Sequence, residues 1–310
     1  MRKGANAVEI LVVGSLNMDL VFNVTKLPRL GETVAGSGFL SIPGGKGANQ
    51  AVAAARLGAA VGIIGRVGQD DYGATLIANL AANGVNTGHL QRTAASPTGL
   101  ACITVAENGA NTIVVYPGAN RQCGAEDVEA IGSVRPRALI AQLEIPLTTV
   151  CRAFHIAREG AVLTALNPSP IRPLPPSLLR ETDLLIVNEV EAEALAESAV
   201  TDTQSALAAA RKLRRLGPER CVVTLGEKGA VYDGPEGELY QPAFPVQAVD
   251  TTAAGDSFAA ALLTSLLHDN DIRLAMRFAA AVGALTATRL GAQSSLPRRT
   301  EVESFLAAQP

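Results

Sequence analysis

Ala138-Leu139-Ile140-Ala141-Gln142-Leu143, then a helical-period stretch from Leu147 to Arg158, then Val162-Leu163-Thr164-Ala165-Leu166, is the reading that decides the fold. The outer pieces are short, nearly continuous apolar runs, as a strand buried on both faces requires. The middle piece is long enough to carry the chain back across a sheet. Strand, helix and strand in that order give parallel strands with the helix on one face. The same rhythm extends outward in both directions. Ile10-Leu11-Val12-Val13-Gly14 reads as a strand, Ala51 to Leu57 as a helix ended by Gly58, and Val61-Gly62-Ile63-Ile64-Gly65 as a strand. Asp71 to Asn83 is a helix stopped by Gly84. Leu184 to Val187 and Cys221 to Leu225 are further strands, separated by helices over Glu189 to Glu197 and Thr203 to Leu216. The alternation predicts an α/β protein: three layers, α/β/α, around a mostly parallel central sheet.

Two segments break the rhythm. Residues 19–40 alternate Leu20, Phe22 and Val24 and then turn at Pro28 to Gly31. Residues 97–117 hold two β-prone runs around Glu107-Asn108-Gly109-Ala110-Asn111, a hairpin pattern. Together they predict a small β-sheet lid beside the main sheet. Ala253 to Arg289 is Ala-rich and helical, with a break near Asn270. No Pro/Gly/Ser-rich linker divides the chain, so a single domain over residues 1–310 is expected.

Composition narrows the partners. Of the 310 residues, 48% are hydrophobic, enough for a sizeable core, and the net charge is −3. There is no basic cluster, which argues against nucleic acid as a partner. Arg211-Lys212-Leu213-Arg214-Arg215 ends a helical pattern and reads as a solvated helix face. Cys102, Cys123, Cys151 and Cys221 lack metal-ligand spacing and read as reduced, mostly buried thiols. Met1 to Glu9 carries no apolar signal region, and no run of about 18 apolar residues suggests a membrane span. A cytoplasmic location is the expectation. His89, His155 and His268 fit no catalytic pattern.

The chemistry concentrates in two motifs. Asp250-Thr251-Thr252-Ala253-Ala254-Gly255-Asp256-Ser257-Phe258 opens a long apolar helix. Small residues there let a ligand approach the backbone, and N–H groups of a first helical turn favour an anion. Asp256, in that turn, is placed to accept a hydroxyl proton as the oxygen attacks phosphorus. Pro43-Gly44-Gly45-Lys46-Gly47-Ala48-Asn49-Gln50-Ala51 opens another helix with Lys46 and Asn49 at its end. Neither motif is a P-loop, and no Gly-x-Gly-x-x-Gly occurs. Asn17 and Asp19 follow the first strand, and Glu144 follows another, at the strand ends where α/β sheets bind ligands. An amide and a carboxylate two residues apart suit vicinal sugar hydroxyls.

These segments resemble the ribokinase-like (carbohydrate kinase) family. Pro43 to Gln50 looks like its N-terminal signature and Asp250 to Phe258 like its C-terminal one. Asn188-Glu189-Val190-Glu191 looks like its Asn-x-x-Glu motif, and Asn167-Pro168-Ser169-Pro170 like its Asn-Pro-x-Pro element. Gly14 to Asp19, Gln142-Leu143-Glu144 and Gly291-Ala292-Gln293-Ser294-Ser295 extend the likeness, which runs from about Ile10 to Phe305.

The resemblance implies the ribokinase-like fold and transfer of the ATP γ-phosphoryl group to the 5-hydroxyl of D-ribose. It makes Asp256 the general base, with the N–H groups of Ala253, Ala254 and Gly255 on the transferring phosphoryl. Asn17, Asp19, Gly45, Lys46, Asn49 and Glu144 would hold the sugar. Asn188, Thr224, Gly226 and Gly229 would bind nucleotide, and Glu191 would act on Mg²⁺ through water. Asp250 and Thr252, with Arg289, Gly291 and Ser295, match a site for a monovalent cation, usually K⁺. Val114, Val115 and Tyr116 would line the sugar pocket, and the helix from Phe278 to Leu285 would pass the adenine. A homodimer through the lid is implied. A kinase for 2-deoxyribose or another small sugar, and a catalytically silent sugar-binding regulator, remain the alternatives. Such a regulator is expected to have lost the base or the anion-hole glycine, and both Asp256 and Gly255 are present.

Overall fold

The computed structural model describes residues 8–309. Residues 1–7, part of the Met1–Glu9 segment read above, and Pro310 lie outside that range.

The first half contains strands β1 (Ile10–Val13), β2 (Asn17–Val24), β3 (Gly36–Gly44), β4 (Val61–Gly68), β5 (Asn86–Thr93), β6 (Gly99–Ala106) and β7 (Asn111–Tyr116). Its helices are α1 (Lys46–Arg56), α2 (Asp71–Ala82), α3 (Ala125–Val128) and α4 (Ile131–Val134). The second half adds β8 (Ala138–Ala141), β9 (Leu163–Leu166), β10 (Leu184–Asn188), β11 (Arg220–Thr224), β12 (Ala230–Gly234) and β13 (Gly237–Gln241). Helices α5 (Leu147–Glu159), α6 (Pro176–Arg180), α7 (Glu189–Ala196) and α8 (Thr203–Arg214) alternate with these strands. Four helices close the chain: α9 (Ala254–Asp269), α10 (Ile272–Ala287), α11 (Ala292–Ser295) and α12 (Arg299–Ala307).

Nine strands form the main sheet in the order β13-β12-β11-β10-β9-β8-β1-β4-β5. All pairings from β11 to β5 are parallel, and β12 and β13 add an antiparallel edge. Period two distributes the strand side chains to two cores. Ile10 and Val12 of β1 join one core with Ala138, Ile140, Leu184, Ile186 and Val222. Leu11 and Val13 join the other with Leu139, Ala141, Leu185, Val187 and Val223. Residues of α1, α9 and α10 complete the first core, and residues of α5, α7 and α8 the second. The three-layer expectation is met.

The lid is a four-stranded sheet, β3-β2-β6-β7, with the β6–β7 hairpin turning at Gly109. Three residues separate the end of β1 from the start of β2, so the lid grows directly from an interior strand of the main sheet.

Several expectations need correction. α1 begins at Lys46, not Ala51. β5, β12 and β13 lie outside the expected rhythm: β5 and β13 are the two edges of the sheet, mixed and partly exposed, and β12 is a short buried strand that ends in Asp233 and Gly234. The Arg211–Arg215 run is not wholly solvated: Arg214 pairs with the buried Asp233 at 2.9 Å and so ties α8 to β12. Ala279, Ala280 and Ala281 of α10 are buried in the first core.

Candidate active site

The predicted residues meet where the strands of the main sheet end and the lid begins. Ser15 Oγ, Asn17 Nδ2 at 3.5 Å and Lys46 N at 3.3 Å all donate to Glu144 Oε2. Asn120 fixes the Asn17 side from behind. Its Nδ2 donates to Asn17 Oδ1 at 2.8 Å and to Leu16 O at 3.0 Å, while its Oδ1 accepts from Leu16 N. Two glycines make room for this polar cup. A Cβ at Gly44 would fall 2.1 Å from Asp19 Oδ2, and one at Gly99 would fall 2.3 Å from Asn17 Oδ1. Gly45 turns the chain from β3 into α1 at φ +89, a conformation that disfavours any side chain.

Three carboxylates and one ammonium share the cup. Asp19 is 8% exposed. Burial, then the charges of Glu144 and Asp256, push its pKa up to about 7. Lys46 is held above its ordinary value chiefly by the charge of Asp256, against the effect of burial, with Glu144 and Glu191 adding to it. The ammonium therefore balances acids contributed by three different elements.

Asp256 lies in the first turn of α9 and is 6% exposed. Its Oδ2 accepts from Asn49 Nδ2 at 3.0 Å and its Oδ1 from Gln50 Nε2 at 3.3 Å. Ala253 is in the left-handed region at φ 62, a strained position for a residue with a Cβ. One expectation changes here. Ala254 N–H donates to Thr251 O at 3.1 Å, so it is already engaged. Among the described residues, no acceptor takes the N–H of Ala253 or Gly255, and a Cβ at Gly255 would meet nothing within 4 Å. The helix end is open on that side to an anion.

Asn188 and Glu191 form a reciprocal cap on α7. Glu191 N donates to Asn188 Oδ1 at 2.9 Å, and Asn188 N donates to Glu191 Oε2 at 3.0 Å. Glu191 is 5% exposed and so fixed in place. Thr224 ends β11, its hydroxyl donating to Val187 O at 3.3 Å. Gly226 faces open space, whereas Gly229 is packed so that a Cβ would lie 2.1 Å from Gln241 O. Among the described residues, no group of three or more His, Cys, Asp or Glu could hold a metal ion. One anchored carboxylate beside an amide suits Mg²⁺, which keeps most of its waters.

Asp250 Oδ1 accepts from Thr252 N and Oγ1, and its Oδ2 from Gly291 N at 2.8 Å. Burial raises its pKa, but these bonds outweigh burial and hold it below the ordinary range. Arg289 is turned to Glu301, and Ser295 Oγ donates to Ala292 O. Arg289 offers a cation only its main-chain carbonyl, whereas the Ser295 hydroxyl, its proton given to Ala292 O, keeps lone pairs for one.

The lid register separates Val115 from its neighbours. Asp19 pairs with Ala101, which pairs with Val115, so these three share one face. Val114 and Tyr116 project from the other face and cannot line the same pocket.

Residues 8–299 match the pfkB family of carbohydrate kinases. The chain belongs to that family. It is 40% identical over 304 residues to the ribokinase of Bacillus subtilis, covering 96% of this chain and 99% of that one. It is 42% identical over 298 residues to a bifunctional ribokinase/ribose-5-phosphate isomerase A of Fructilactobacillus sanfranciscensis, where it spans 95% of itself and only 55% of the relative. The Arabidopsis thaliana ribokinase complexed with ribose and ATP superposes with a TM-score of 0.90 at 30% identity, covering 98% of this chain and all of that one.

Within this pfkB-family site, the sequence pointed to no role for Asn120 or Ser15. Asn120 has no motif around it, and its partners are 103 and 104 residues away. Ser15 stands in a quoted segment, but a lone hydroxyl carries no spacing signal.

Proposed function

We propose that this chain transfers the γ-phosphoryl group of ATP to the 5-hydroxyl of D-ribose, giving ribose 5-phosphate and ADP. The observation that carries the reading is Asp256. It is a buried carboxylate in the first turn of α9, beside open N–H groups on one side and the cup of Asn17, Asp19, Lys46 and Glu144 on the other. Asp256 accepts the proton of the 5-hydroxyl as that oxygen attacks the γ-phosphorus. The bond from the γ-phosphorus to the β-phosphate oxygen breaks, and ADP leaves. The N–H groups of Ala253 and Gly255 meet charge on the phosphoryl in flight, and Ala254 holds the turn. Asn17, Asp19, Gly45, Lys46, Asn49 and Glu144 hold the sugar, and the Lys46 ammonium also balances the acids around it.

Asn188, Thr224, Gly226 and Gly229 take the nucleotide side. Glu191 would hold Mg²⁺ through water, the ion neutralising phosphate charge. Asp250 and Thr252, with main-chain carbonyls near Arg289, Gly291 and Ser295, would hold K⁺. A homodimer through the lid goes with this reading, since the lid exposes Phe22, Phe39, Leu40, Ile113, Val114, Val115 and Tyr116. So does a cytoplasmic setting, where ATP is present and the four free cysteines stay reduced.

The test is ADP release with Mg·ATP over D-ribose, 2-deoxyribose, fructose and adenosine, with and without K⁺. Ribose-dependent turnover that rises with K⁺ is the expected result. Turnover on another sugar alone moves the substrate assignment. Ribose binding without turnover on any of them defeats the kinase reading.

A further inference from the structure

Gln50, Gln142 and Asn167 stand in three of the motif segments, yet none of them belongs to the sugar cup. They form one hydrogen-bonded line that ends on the base. Gln142 Nε2 donates to Gln50 Oε1. Gln50 Nε2 donates to Asp256 Oδ1 at 3.3 Å and to Asn167 Oδ1 at 3.2 Å. Asn167 is itself anchored, with Nδ2 donating to Ile186 O at 3.0 Å. Gln50 and Gln142 are both 0% exposed.

The line has a polarity, and it leaves one polar atom over. Gln142 Oε1 is the one buried side-chain nitrogen or oxygen without a hydrogen-bond partner among the described residues. It faces Gly14, where a Cβ would come within 2.1 Å of it. A buried acceptor without a donor is unfavourable. Reversing both amides would only exchange the orphan, giving Gln142 Oε1 a donor in Gln50 Nε2 but leaving Gln142 Nε2 beside Gly14 without an acceptor. The reversal would also set Gln50 Oε1 against the carboxylate of Asp256. The observed orientation instead turns a donor to the Asp256 carboxylate and satisfies Asn167 Oδ1 with the same amide.

We infer that Gln50, backed by Gln142, is a positioning residue for Asp256. Its amide holds Oδ1, so that Oδ2 is presented to Asn49 and the sugar cup with the carboxylate ready to take a proton. The inference rests on the reading of Asp256 as the base. The charged groups acting around Asp256 are Lys46 on α1, Asp19 on β2 and, beyond Asp19, Glu144 after β8. All three stay unchanged in the variants below.

The experiment is steady-state kinetics with ribose and Mg·ATP on Gln50→Met, Gln142→Met, the double variant and Asp256→Asn, with thermal melts as a folding check. Gln50→Met is expected to lower kcat roughly 10- to 100-fold, with the ribose KM changed less than about threefold. The acidic limb of its kcat–pH profile should move to higher pH, because a donor to the carboxylate is lost. Gln142→Met should do the same to a smaller extent, and the double variant should match Gln50→Met alone, as links in series do. A folded Gln50→Met with unaltered kcat and pH profile overturns the inference, and so do losses that simply add. If Gln50→Met fails to fold, an unmoved pH limb in Gln142→Met overturns it instead. Turnover that survives in Asp256→Asn removes the base itself, and the inference with it. A dead Asp256→Asn beside a silent Gln50→Met removes only the inference.

Discussion

Asp19 carries a pH signature that separates folding from binding. An isolated aspartate ionises near pH 4, whereas in the folded chain burial and two neighbouring acids push the value up to about 7. Between those values the folded state holds a proton that the unfolded chain has released. Stability contributed at this site is therefore intact at low pH and is lost as pH rises from about 4 through about 7. Asp19→Asn removes the charge and should stabilise the unliganded protein by about 1–3 kcal/mol at pH 8, with little effect at pH 4. Urea denaturation at the two pH values checks this, and equal effects at both would refute it. The same variant should weaken ribose binding, measured by calorimetry. At Asp256 the expected outcome is different. Asp256→Asn should keep sugar binding and lose about 1,000-fold or more in kcat.

Both acids were legible in the sequence for a local reason. Asp256 stands among small residues at a helix start, and Asp19 is two residues from an amide at a strand end. The residues that hold them were not legible. Asn120 reaches Asn17 across 103 positions, and Gln293 Nε2 reaches Asn49 Oδ1 across 244, so only the fold brings them together. No spacing rule covers such pairs.

At the scale of elements, α1 shows how tightly a helix can be placed by what it lacks. A Cβ at Gly47 would lie 2.6 Å from Gly14 C and from Ser15 N, both main-chain atoms. The first turn of α1 thus lies directly against the chain leaving β1, and this contact lets Ala48 N donate to Ser15 O at 3.0 Å. Gly47→Ala should cost about 1–3 kcal/mol by overpacking, read from the urea midpoint, and should lower kcat by shifting Asn49. A midpoint that stays put would show that α1 can slide. The sequence placed the start of α1 five residues late because Lys46 to Gln50 lacks an apolar stripe. The helix there is held by close packing of small residues, which hydrophobic periodicity does not register. β5 escaped for a related reason: its exposed, mixed residues show neither a continuous apolar run nor strict alternation. The internal strands β1, β8, β10 and β11 were plain, being apolar on both faces.

At the scale of the whole molecule, the lid is apolar on both faces beyond its root. Phe22 and Phe39 stack at 5.0 Å on one face, while Leu40, Ile113 and Val115 stand exposed on the other. If a second copy covers this sheet, sedimentation velocity should give a dimer, and the double variant Ile113→Asp, Val114→Asp should give a monomer. A wild-type monomer at micromolar concentration would exclude the lid as a stable dimer interface. The lid was visible in the sequence as a disturbance in the strand–helix rhythm. Its relation to the site was not, because the parallel β2–β6 pairing joins segments about 80 residues apart.

Strand β2 opens as the floor of the sugar cup at Asn17 and ends as part of the lid at Val24, and β3 returns to the same place at Gly44. The root of the lid and the cup are thus the same few residues. Any tilt of the lid would move Asn17 and Asp19, and on the proposed reading a sugar seated on them would set the tilt. On the proposed reading the acceptor would act as its own key, because the cup it fills is the root of the lid. Water should therefore compete poorly as a phosphoryl acceptor, and ATP should be spared wasteful hydrolysis when no sugar is present.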